Sequence, residues 1–332
     1  MSAQPKLGLF LNMGRQLGAT AADVFDLTLE QVDRAEAAGF HDLWFSEHHF
    51  IPFGINPSAL TACAFALGRT RRVRVGTAVT LSPLYHPLEL AERAALLDQF
   101  SGGRFDLGIG RGGYLKDFEM LDRDPSRWDA EPNASADIIM DAWRGGDLAA
   151  ANHDSGPSLL QPPPLSRPAP PLFVATRSPA GIEYAARNGL PVQHYFASPT
   201  SARVQLEQAY RETNAEPVEH LHLVLLSIER TEARARERLK ASLARSFADG
   251  DWPHVPQVSK RRAESSDKPP PRDAMAQGAA AAALAGPIES VRDQLAAFVE
   301  ATGATRVALF AEAVAERDDT LAALDAVAHE FL

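Results

Sequence analysis

Cysteine, long apolar runs and excess positive charge are all scarce in this sequence. Its 332 residues include one cysteine, Cys63, which excludes both an intrachain disulfide and a cysteine-ligated structural zinc site. No apolar run approaches the roughly 18–20 residues that span a bilayer, and the N-terminus shows no signal-peptide pattern, which together predict a cytoplasmic protein. The net charge of -10 argues against nucleic acid or an anionic membrane as the main partner.

Short apolar segments alternate with longer amphipathic segments along the chain. Eight of the short segments are rich in Val, Ile, Leu and Phe, as is typical of strands buried on both faces. These predicted strands cover residues 6–12, 42–48, 73–80, 105–110, 172–176, 191–197, 220–229 and 305–311. Helical spacing lies between most of them, for example in 22–38, 87–100 and 290–302, and Gly39 is expected to end the first helix.

This alternation predicts parallel strands that are joined by crossover helices. Eight such strands indicate one α/β domain, residues 1–332, folded as a closed (β/α)8 TIM barrel with inserted loops. An open, doubly wound sheet is the competing architecture, and the alternation alone does not separate the two.

Two segments interrupt the alternation. The proline-rich stretch 161–171 predicts an extended surface connector. Residues 253–275 carry basic side chains among prolines and serines and predict a mobile loop, either a solvated insertion or an active-site lid.

The second predicted strand ends in Ser46, Glu47, His48, His49 and Phe50. Adjacent strand residues point to opposite faces, so His48 and His49 are not expected to share a pocket, and no metal site is expected here or elsewhere. Histidine pairs that bind metals normally lie two residues apart on a strand or four apart on a helix. One histidine at a barrel mouth suits general acid/base chemistry, and a structural role at the strand end is the alternative.

Residues 108–113 read GIGRGG, which matches the glycine pattern of dinucleotide-binding loops. The match follows the fourth predicted strand instead of the first, and no second strand with an acidic end lies about 20 residues later. Tight bending of the backbone explains the glycines better. Arg111 then either binds an anion with its two-pronged guanidinium or forms a surface ion pair.

Residues 175–181 read ATRSPAG and lead into a helical segment. Ser178 is a suitable N-cap, and Pro179 is a suitable first helical residue. A capped helix start after a parallel strand directs amide N–H groups toward the barrel mouth, which suits a phosphate, and Arg177 adds a donor. An ordinary capped helix is the alternative, but together with Arg111 the element favours a phosphorylated cofactor.

Four segments are specific in combination. They read SEHHFIPFGINP, VGTAV, HPLELAERAALLDQFSGGRFDLGIGRGGYLKDF and VATRSPAGIEYAARNGLP. In this order they strongly resemble bacterial luciferase and the wider luciferase-like flavin monooxygenases. The resemblance covers residues 6–200 well and 286–310 more loosely, and it favours the closed barrel over the open sheet.

The resemblance implies an enzyme that oxidises a small organic substrate with O2 and reduced FMN, through a flavin C4a-peroxide. It also implies that a separate reductase supplies the FMNH2 and that a homodimer forms through the helices of 56–68 and 87–100. The resemblance leaves the substrate open between an aldehyde and an aromatic or polyketide-like compound of secondary metabolism. A deazaflavin-dependent oxidoreductase on the same barrel and a non-catalytic flavin-binding subunit remain as alternatives.

The resemblance also implies roles for individual residues. His48 matches the catalytic acid/base. The implied cofactor-binding residues are Ala78, Val79, Arg111, Tyr114, Arg177, Ser178, Gln193 and Phe196. Ala78 and Val79 fall where the family often has a non-proline cis peptide beneath the flavin ring, and Arg111 and Ser178 match phosphate ligands. Tyr114 and Asp117 match residues beside the flavin pocket.

Three positions depart from the family pattern. Arg177 replaces a glutamate of luciferase and adds positive charge near the expected phosphate. Gly181 stands where the family offers a threonine hydroxyl, so one phosphate contact is lost or passes to the backbone. Phe196 stands where a bulky aromatic is expected, which keeps the ring contact but leaves light emission open.

Overall fold

The computed structural model describes residues 4–15, 18–130, 133–148, 158–249, 271–314 and 316–332. Its strands are β1 Lys6–Leu11, β2 Asp42–Phe45, β3 Arg74–Thr77, β4 Thr80–Leu81, β5 Phe105–Gly110, β6 Leu172–Val174, β7 Gln193–His194, β8 Leu221–Ile228, β9 Leu284–Gly286 and β10 Arg306–Phe310.

Helices follow most of the strands. They are α1 Ala21–Ala38, α2 Ala59–Arg69, α3 Pro87–Ser101, α4 Leu115–Met120, α5 Arg127–Ala130, α6 Asn133–Trp143, α7 Pro179–Arg187, α8 Thr200–Thr213, α9 Glu232–Asp249, α10 Arg272–Ala281, α11 Ile288–Thr302 and α12 Arg317–Phe331, with short 3-10 turns at Ser82–Leu84 and Glu312–Val314. Gly39 ends α1 in the left-handed conformation, as predicted. None of the described helices is both long and apolar enough to cross a bilayer.

The sheet closes into a barrel. Parallel pairs run in the order β1–β2–β3–β5–β6 on one side and β1–β10–β8–β7 on the other. A parallel bridge between Val174 and Val192 joins β6 to the residue before β7 and completes the ring. The closed (β/α)8 barrel is therefore confirmed over the open sheet.

Two short strands were not expected from the sequence. The predicted strand 73–80 is interrupted after Thr77 by a cis peptide between Ala78 and Val79, and β4 resumes the pairing with β5 at Thr80. β9 likewise extends the pairing of β8.

Alternation along the strands divides the core into two layers. On β1, Leu7, Leu9 and Leu11 face outward to the helices, while Phe10 faces the barrel interior. The interior layer continues over the mouth, where Leu239 and Ala276, from α9 and α10, pack with it. Of the predicted loop 253–275, residues 272–275 form the first turn of α10 and residues 253–270 lie outside the described part. The stretch 161–171 carries neither helix nor strand, as predicted.

Candidate active site

The candidate residues gather at the carboxyl ends of the strands, which form one mouth because all strands are parallel. His48 follows β2, Ala78 and Val79 follow β3, Arg111 and Tyr114 follow β5, Arg177 and Ser178 follow β6, and Phe196 follows β7. Gln193 lies in β7 and reaches across the interior.

His48 has a fixed tautomer. Its Nε2 lies 3.1 Å from Asn12 Oδ1, while Asn12 Nδ2 donates to the Phe53 carbonyl at 2.5 Å. The amide oxygen can only accept, so His48 Nε2 carries the proton and Nδ1 remains the proton-accepting atom. The rings of Phe53 and Tyr114 stand at 5.2 and 6.5 Å from the imidazole centroid.

The pKa of His48 is unusual for a general acid/base. Burial, aided by the neighbouring His49, lowers it to about 4. The imidazole is therefore neutral at pH 7 and can accept a proton but not donate one as a resting imidazolium.

The strand alternation that was expected to separate His48 from His49 ends with β2 at Phe45, yet His49 points into different surroundings. Its Nε2 lies 3.6 Å from Glu47 Oε1, and both side chains are buried. The Glu47 carboxylate also accepts from the amides of Ala59 and Leu81, at 3.0 and 3.2 Å, which ties the end of β2 to α2 and β4. Asp117 lies nearby in α4, and its burial raises the pKa to about 6.

The cis peptide expected at Ala78–Val79 is present. Beneath it, Gln193 Nε2 donates to the Thr77 carbonyl at 2.9 Å, whereas Gln193 Oε1 is buried without a partner among the described residues. Close packing around this point explains two glycines of the GIGRGG run. A Cβ on Gly108 would lie 2.0 Å from the Thr77 oxygen, and one on Gly110 would lie 2.7 Å from Val79 Cγ2.

The start of α7 forms the polar end of the mouth. Ser178 caps the helix by accepting from the Gly181 amide at 3.1 Å, as predicted. Arg177 and Ser178 are exposed, and the Arg177 guanidinium lies 5.2 Å from the ring centroid of Tyr195. Arg111 is also exposed, with its guanidinium 3.9 Å from the ring centroid of Trp128. The structure thus sets two arginines on aromatic faces near the mouth.

Gly181 is explained by its neighbour Thr176. A Cβ at position 181 would lie 2.1 Å from Thr176 Oγ1, and that hydroxyl lies 3.3 Å from Ser178 Oγ. A hydroxyl from Thr176 therefore occupies the space beside the helix start where the family pattern led us to expect a threonine side chain.

Gly181→Ala is expected to lower the free energy of unfolding by about 1–3 kcal/mol, because the new methyl group forces Thr176 to move. Urea denaturation measures this change. Gly278→Ala in α10 is the matched control: nothing lies within 4 Å of its added Cβ, so it should be neutral or stabilising by up to about 1 kcal/mol. Equal stability of Gly181→Ala and the wild type would contradict the steric reading.

Phe196 closes the inner side of the mouth. It is buried and packs against Phe10 and Phe310, with ring centroids at 6.2 and 5.3 Å. These three rings give the deeper part of the site an apolar surface.

Sequence reasoning missed two polar groups, Asn12 and Glu312. Glu312 follows β10, is buried, and accepts from the amides of Asn12 and of Met13, the latter at 2.7 Å. Burial raises its pKa to about 7, although Gln31 and the backbone amides oppose the shift. Asn12 is the last residue of the predicted strand 6–12 and Glu312 directly follows the predicted strand 305–311, and these strand-end positions were the available signal.

A cavity of about 370 Å³ adjoins His48 through Asn12 and Phe53. It lies between the ends of β1, β2 and β10 and the helix α9. Its lining combines apolar surface with charged groups: Asn12, Gly14, Arg15, Pro52, Phe53, Ser242, Leu243, Arg245, Ser246, Phe310, Glu312, Ala313 and Glu316. The volume suits a small organic molecule.

Comparison with known proteins agrees with this arrangement. The chain is 33% identical over 192 residues to the oxygenase component of the flavin-dependent trigonelline monooxygenase of Acinetobacter baylyi, which covers 57% of this chain and 53% of that protein. It is 32% identical over 227 residues to an alkanal monooxygenase alpha chain of Photorhabdus luminescens, covering 66% and 61%. The matches therefore span little more than half the length of these relatives.

Fold similarity extends over the whole chain. The crystal structure of the monooxygenase RslO1 from Streptomyces bottropensis aligns over 98% of both chains with a TM-score of 0.82, at 23% identity. The sequence profile described as luciferase-like monooxygenase matches residues 6–306. The chain belongs to the luciferase-like monooxygenase family.

Proposed function

We propose that this protein is a flavin-dependent monooxygenase that oxidises a small organic substrate with O2 and reduced FMN, which a separate reductase supplies. The observation that carries the proposal is the meeting, at one barrel mouth, of a neutral imidazole of fixed tautomer, a polar helix start and a cavity. The relative from Acinetobacter baylyi, named as an oxygenase component, supports the division of labour with a reductase.

The residues present fit FMN. Exposed hydroxyl and guanidinium groups at Ser178, Arg177 and Arg111 suit a phosphate dianion, and the α7 N-terminus adds a positive dipole end. Toward the interior, Gln193 Oε1 is a buried acceptor that a polar ring edge could satisfy. Between the phosphate side and Gln193, the mouth is lined by Val79, Tyr114 and the rings of Phe10, Phe196 and Phe310.

Bound reduced FMN would supply the electrons that activate O2. The chain's own residues bind the flavin, orient the reacting groups and exclude water. His48 Nδ1 accepts a proton at the mouth while Asn12 holds the ring in place through Nε2. Phe10, Phe196 and Phe310 exclude water from the inner side, and the adjoining cavity holds the organic substrate.

The proposal is tested with the full chain, a generic flavin reductase, NADH and FMN, under a panel of aldehydes and aromatic compounds. We expect O2 consumption that depends on reduced FMN and an oxygenated product identified by mass spectrometry. Hydride transfer without O2 when a reduced deazaflavin replaces FMN would overturn the proposal in favour of the deazaflavin alternative. Absence of any turnover, with FMN bound, would favour a non-catalytic flavin-binding subunit.

Arg111→Ala is expected to weaken FMN binding about 10- to 100-fold, because it removes a charge-assisted contact to the phosphate. Fluorescence titration measures both FMN and riboflavin. Arg187→Ala, at the opposite end of α7 and paired with Glu183, is the control and should bind FMN like the wild type. Equal weakening of riboflavin, which lacks the phosphate, would contradict the role of Arg111.

A homodimer through α2 and α3 is part of the proposal. Phe65 on α2 and Leu96 and Phe100 on α3 are 60%, 42% and 82% exposed, which is unusual for large apolar side chains. We expect the wild type to be dimeric in light scattering and Phe100→Ser to shift it toward monomer. Leu165→Ser, which removes an exposed leucine from the 161–171 connector, should not. A monomeric wild type at micromolar concentration would contradict the interface.

A further inference from the structure

The chain turns through a left-handed residue just after β1. Met13 is buried and has a φ of +54°, which lies in the region that side chains other than glycine rarely adopt. At this bend the amides of Asn12 and Met13 both donate to one atom, Glu312 Oε1, the second at 2.7 Å. Gly14 supplies a further backbone donor to the same carboxyl group. Successive amides that converge in this way form a nest, and Glu312 fills it.

Glu312 reaches the bend because β1 and β10 are parallel neighbours. Both strands therefore deliver the residues that follow them to the same end of the barrel. The carboxyl group is buried, so its oxygens need hydrogen-bond partners. Oε1 has the two amides, and Oε2 lies 3.4 Å from Gln31 Nε2 of α1. The side chain thus ties the ends of β1 and β10 to α1.

The carboxyl group can hold the bend in either protonation state. Burial raises the pKa of Glu312 to about 7, so both states are present at neutral pH. A proton would take the oxygen that faces Gln31, whose amide can turn its own oxygen toward it. Oε1 keeps its lone pairs for the two amides in both states. The bend therefore requires the position of this oxygen and not its charge.

The bend is joined to the loop that follows His48. Three hydrogen bonds connect the two segments: the Ile55 amide to the Met13 carbonyl at 2.9 Å, the Arg15 amide to the Pro52 carbonyl at 2.9 Å, and Asn12 Nδ2 to the Phe53 carbonyl at 2.5 Å. The other polar atom of the Asn12 side chain, Oδ1, accepts from His48 Nε2 at 3.1 Å. The bend therefore decides where the imidazole finds its partner.

Tight packing transmits the position of the bend to the imidazole. A Cβ on Gly54 would lie 2.3 Å from His48 Cδ2 and 2.9 Å from the Asn12 carbonyl oxygen. A Cβ on Gly14 would lie 2.9 Å from the Phe53 oxygen. With backbone this close to the ring and to its partner, a shift of Asn12 cannot be absorbed without a shift of His48.

We propose that Glu312 is a positioning residue for His48. Its carboxyl oxygen holds the left-handed bend at Met13, the bend places the Asn12 side chain, and Asn12 keeps the imidazole proton on Nε2. His48 Nδ1 then remains the proton-accepting atom. The catalytic consequence rests on the proposed function, whereas the tautomer itself can be measured without flavin.

The first test determines the tautomer of His48 in the full chain, labelled with ¹⁵N-histidine, at pH 7. Long-range ¹H–¹⁵N correlation spectra distinguish a proton on Nε2 from one on Nδ1, and His48→Asn identifies the His48 signals by their loss. We expect the Nε2–H form alone in the wild type and a mixture of both tautomers in Glu312→Ala. An unchanged His48 pattern in Glu312→Ala, or a proton on Nδ1 in the wild type, would overturn the proposal.

Asp98→Ala is the matched control. Asp98 in α3 is also buried and also accepts from two consecutive amides, those of Leu165 and Ser166, both at 2.7 Å, but it lies near the amino ends of the strands. This variant should have a lower Tm, as Glu312→Ala should, but an unchanged His48 pattern. An equal change of His48 in both variants would reflect a general loss of stability and overturn the proposal.

A shorter side chain replaces Glu312→Ala if that variant does not fold. In Glu312→Asp the carboxyl group ends one methylene short of the amides of Asn12 and Met13, so the same mixture of tautomers is expected. A wild-type His48 pattern in Glu312→Asp would then overturn the proposal.

The second test measures product formed per O2 consumed. Glu312→Ala should lower this ratio by about 3- to 30-fold, as Asn12→Ala should, and the double variant should be no worse than Asn12→Ala alone, because both side chains act through one contact. Losses that multiply in the double variant would show an independent role of Glu312 and overturn the proposal. A wild type that forms no product would refute the proposed function, and the tautomer measurement would still decide the role of Glu312.

Discussion

His48→Ala is expected to fold, to bind FMN within a few-fold of the wild type, and to form product about 10²- to 10⁴-fold more slowly. The reason is the loss of Nδ1, the proton-accepting atom that the bond from Nε2 to Asn12 leaves available. O2 consumption should continue as hydrogen peroxide release, so the measured quantity is product formed per O2 consumed.

Two further variants separate proton transfer from positioning. His48→Asn keeps an amide N–H that can donate to Asn12 but removes the basic nitrogen, and it should be as impaired as His48→Ala. Asn12→Ala leaves the imidazole and removes its tautomer-fixing partner, and a smaller loss is expected. Product yields at the wild-type level in His48→Ala would remove this residue from the mechanism.

The elements of the barrel could be predicted because strands buried on both faces need continuous apolar residues. All eight predicted strands occur, but several are shorter than their apolar runs. Within the run 191–197 only Val192, Gln193 and His194 pair with neighbouring strands, and Phe196 is buried through packing with Phe10 and Phe310 instead. Closure of the ring depends on the bridge between Val174 and Val192, which no local pattern reveals.

The mouth residues could be predicted because motifs mark the ends of the strands. Groups whose hydrogen-bond partners lie far away in the sequence could not be predicted. The sequence has 43 acidic residues, and no local pattern distinguishes Glu312 from the others. Only the pairing of β1 with β10 places it beside the amides of Asn12 and Met13. Likewise Glu207 reads as part of a polar helix, and only the packing of α8 against β7 places it beside His194.

A third buried group of this kind lies at the amino ends of the strands. Arg306, the first residue of β10, donates to Asp42 at 2.7 Å and also to Asp106, and all three are buried. Its guanidinium lies 4.8 Å from the ring centroid of Trp44. Gly8 makes room for this arrangement, since a Cβ there would lie 1.9 Å from Asp42 Oδ1.

Arg306→Met is expected to lower the free energy of unfolding by about 3–5 kcal/mol, because it leaves Asp42 buried without its main positive partner. Urea denaturation at pH 7 measures the change. Arg292→Met is the matched control: this arginine is about half exposed and pairs with Glu330 at 2.8 Å, so its loss should cost under about 1 kcal/mol.

The pH dependence of the Arg306→Met deficit distinguishes an uncompensated charge from a simple packing defect. In the wild type, burial alone would raise the pKa of Asp42, but the charges and hydrogen bonds of Arg306 and His41 together outweigh it, and the pKa is lowered. Without Arg306 the pKa should rise above its unfolded value, so the penalty grows with increasing pH and shrinks when the folded variant can take up a proton. The deficit should therefore be smaller at pH 5 than at pH 7, and Asp42→Asn should recover part of it. A deficit that is constant with pH and unaffected by Asp42→Asn would assign the loss to packing against Trp44 instead.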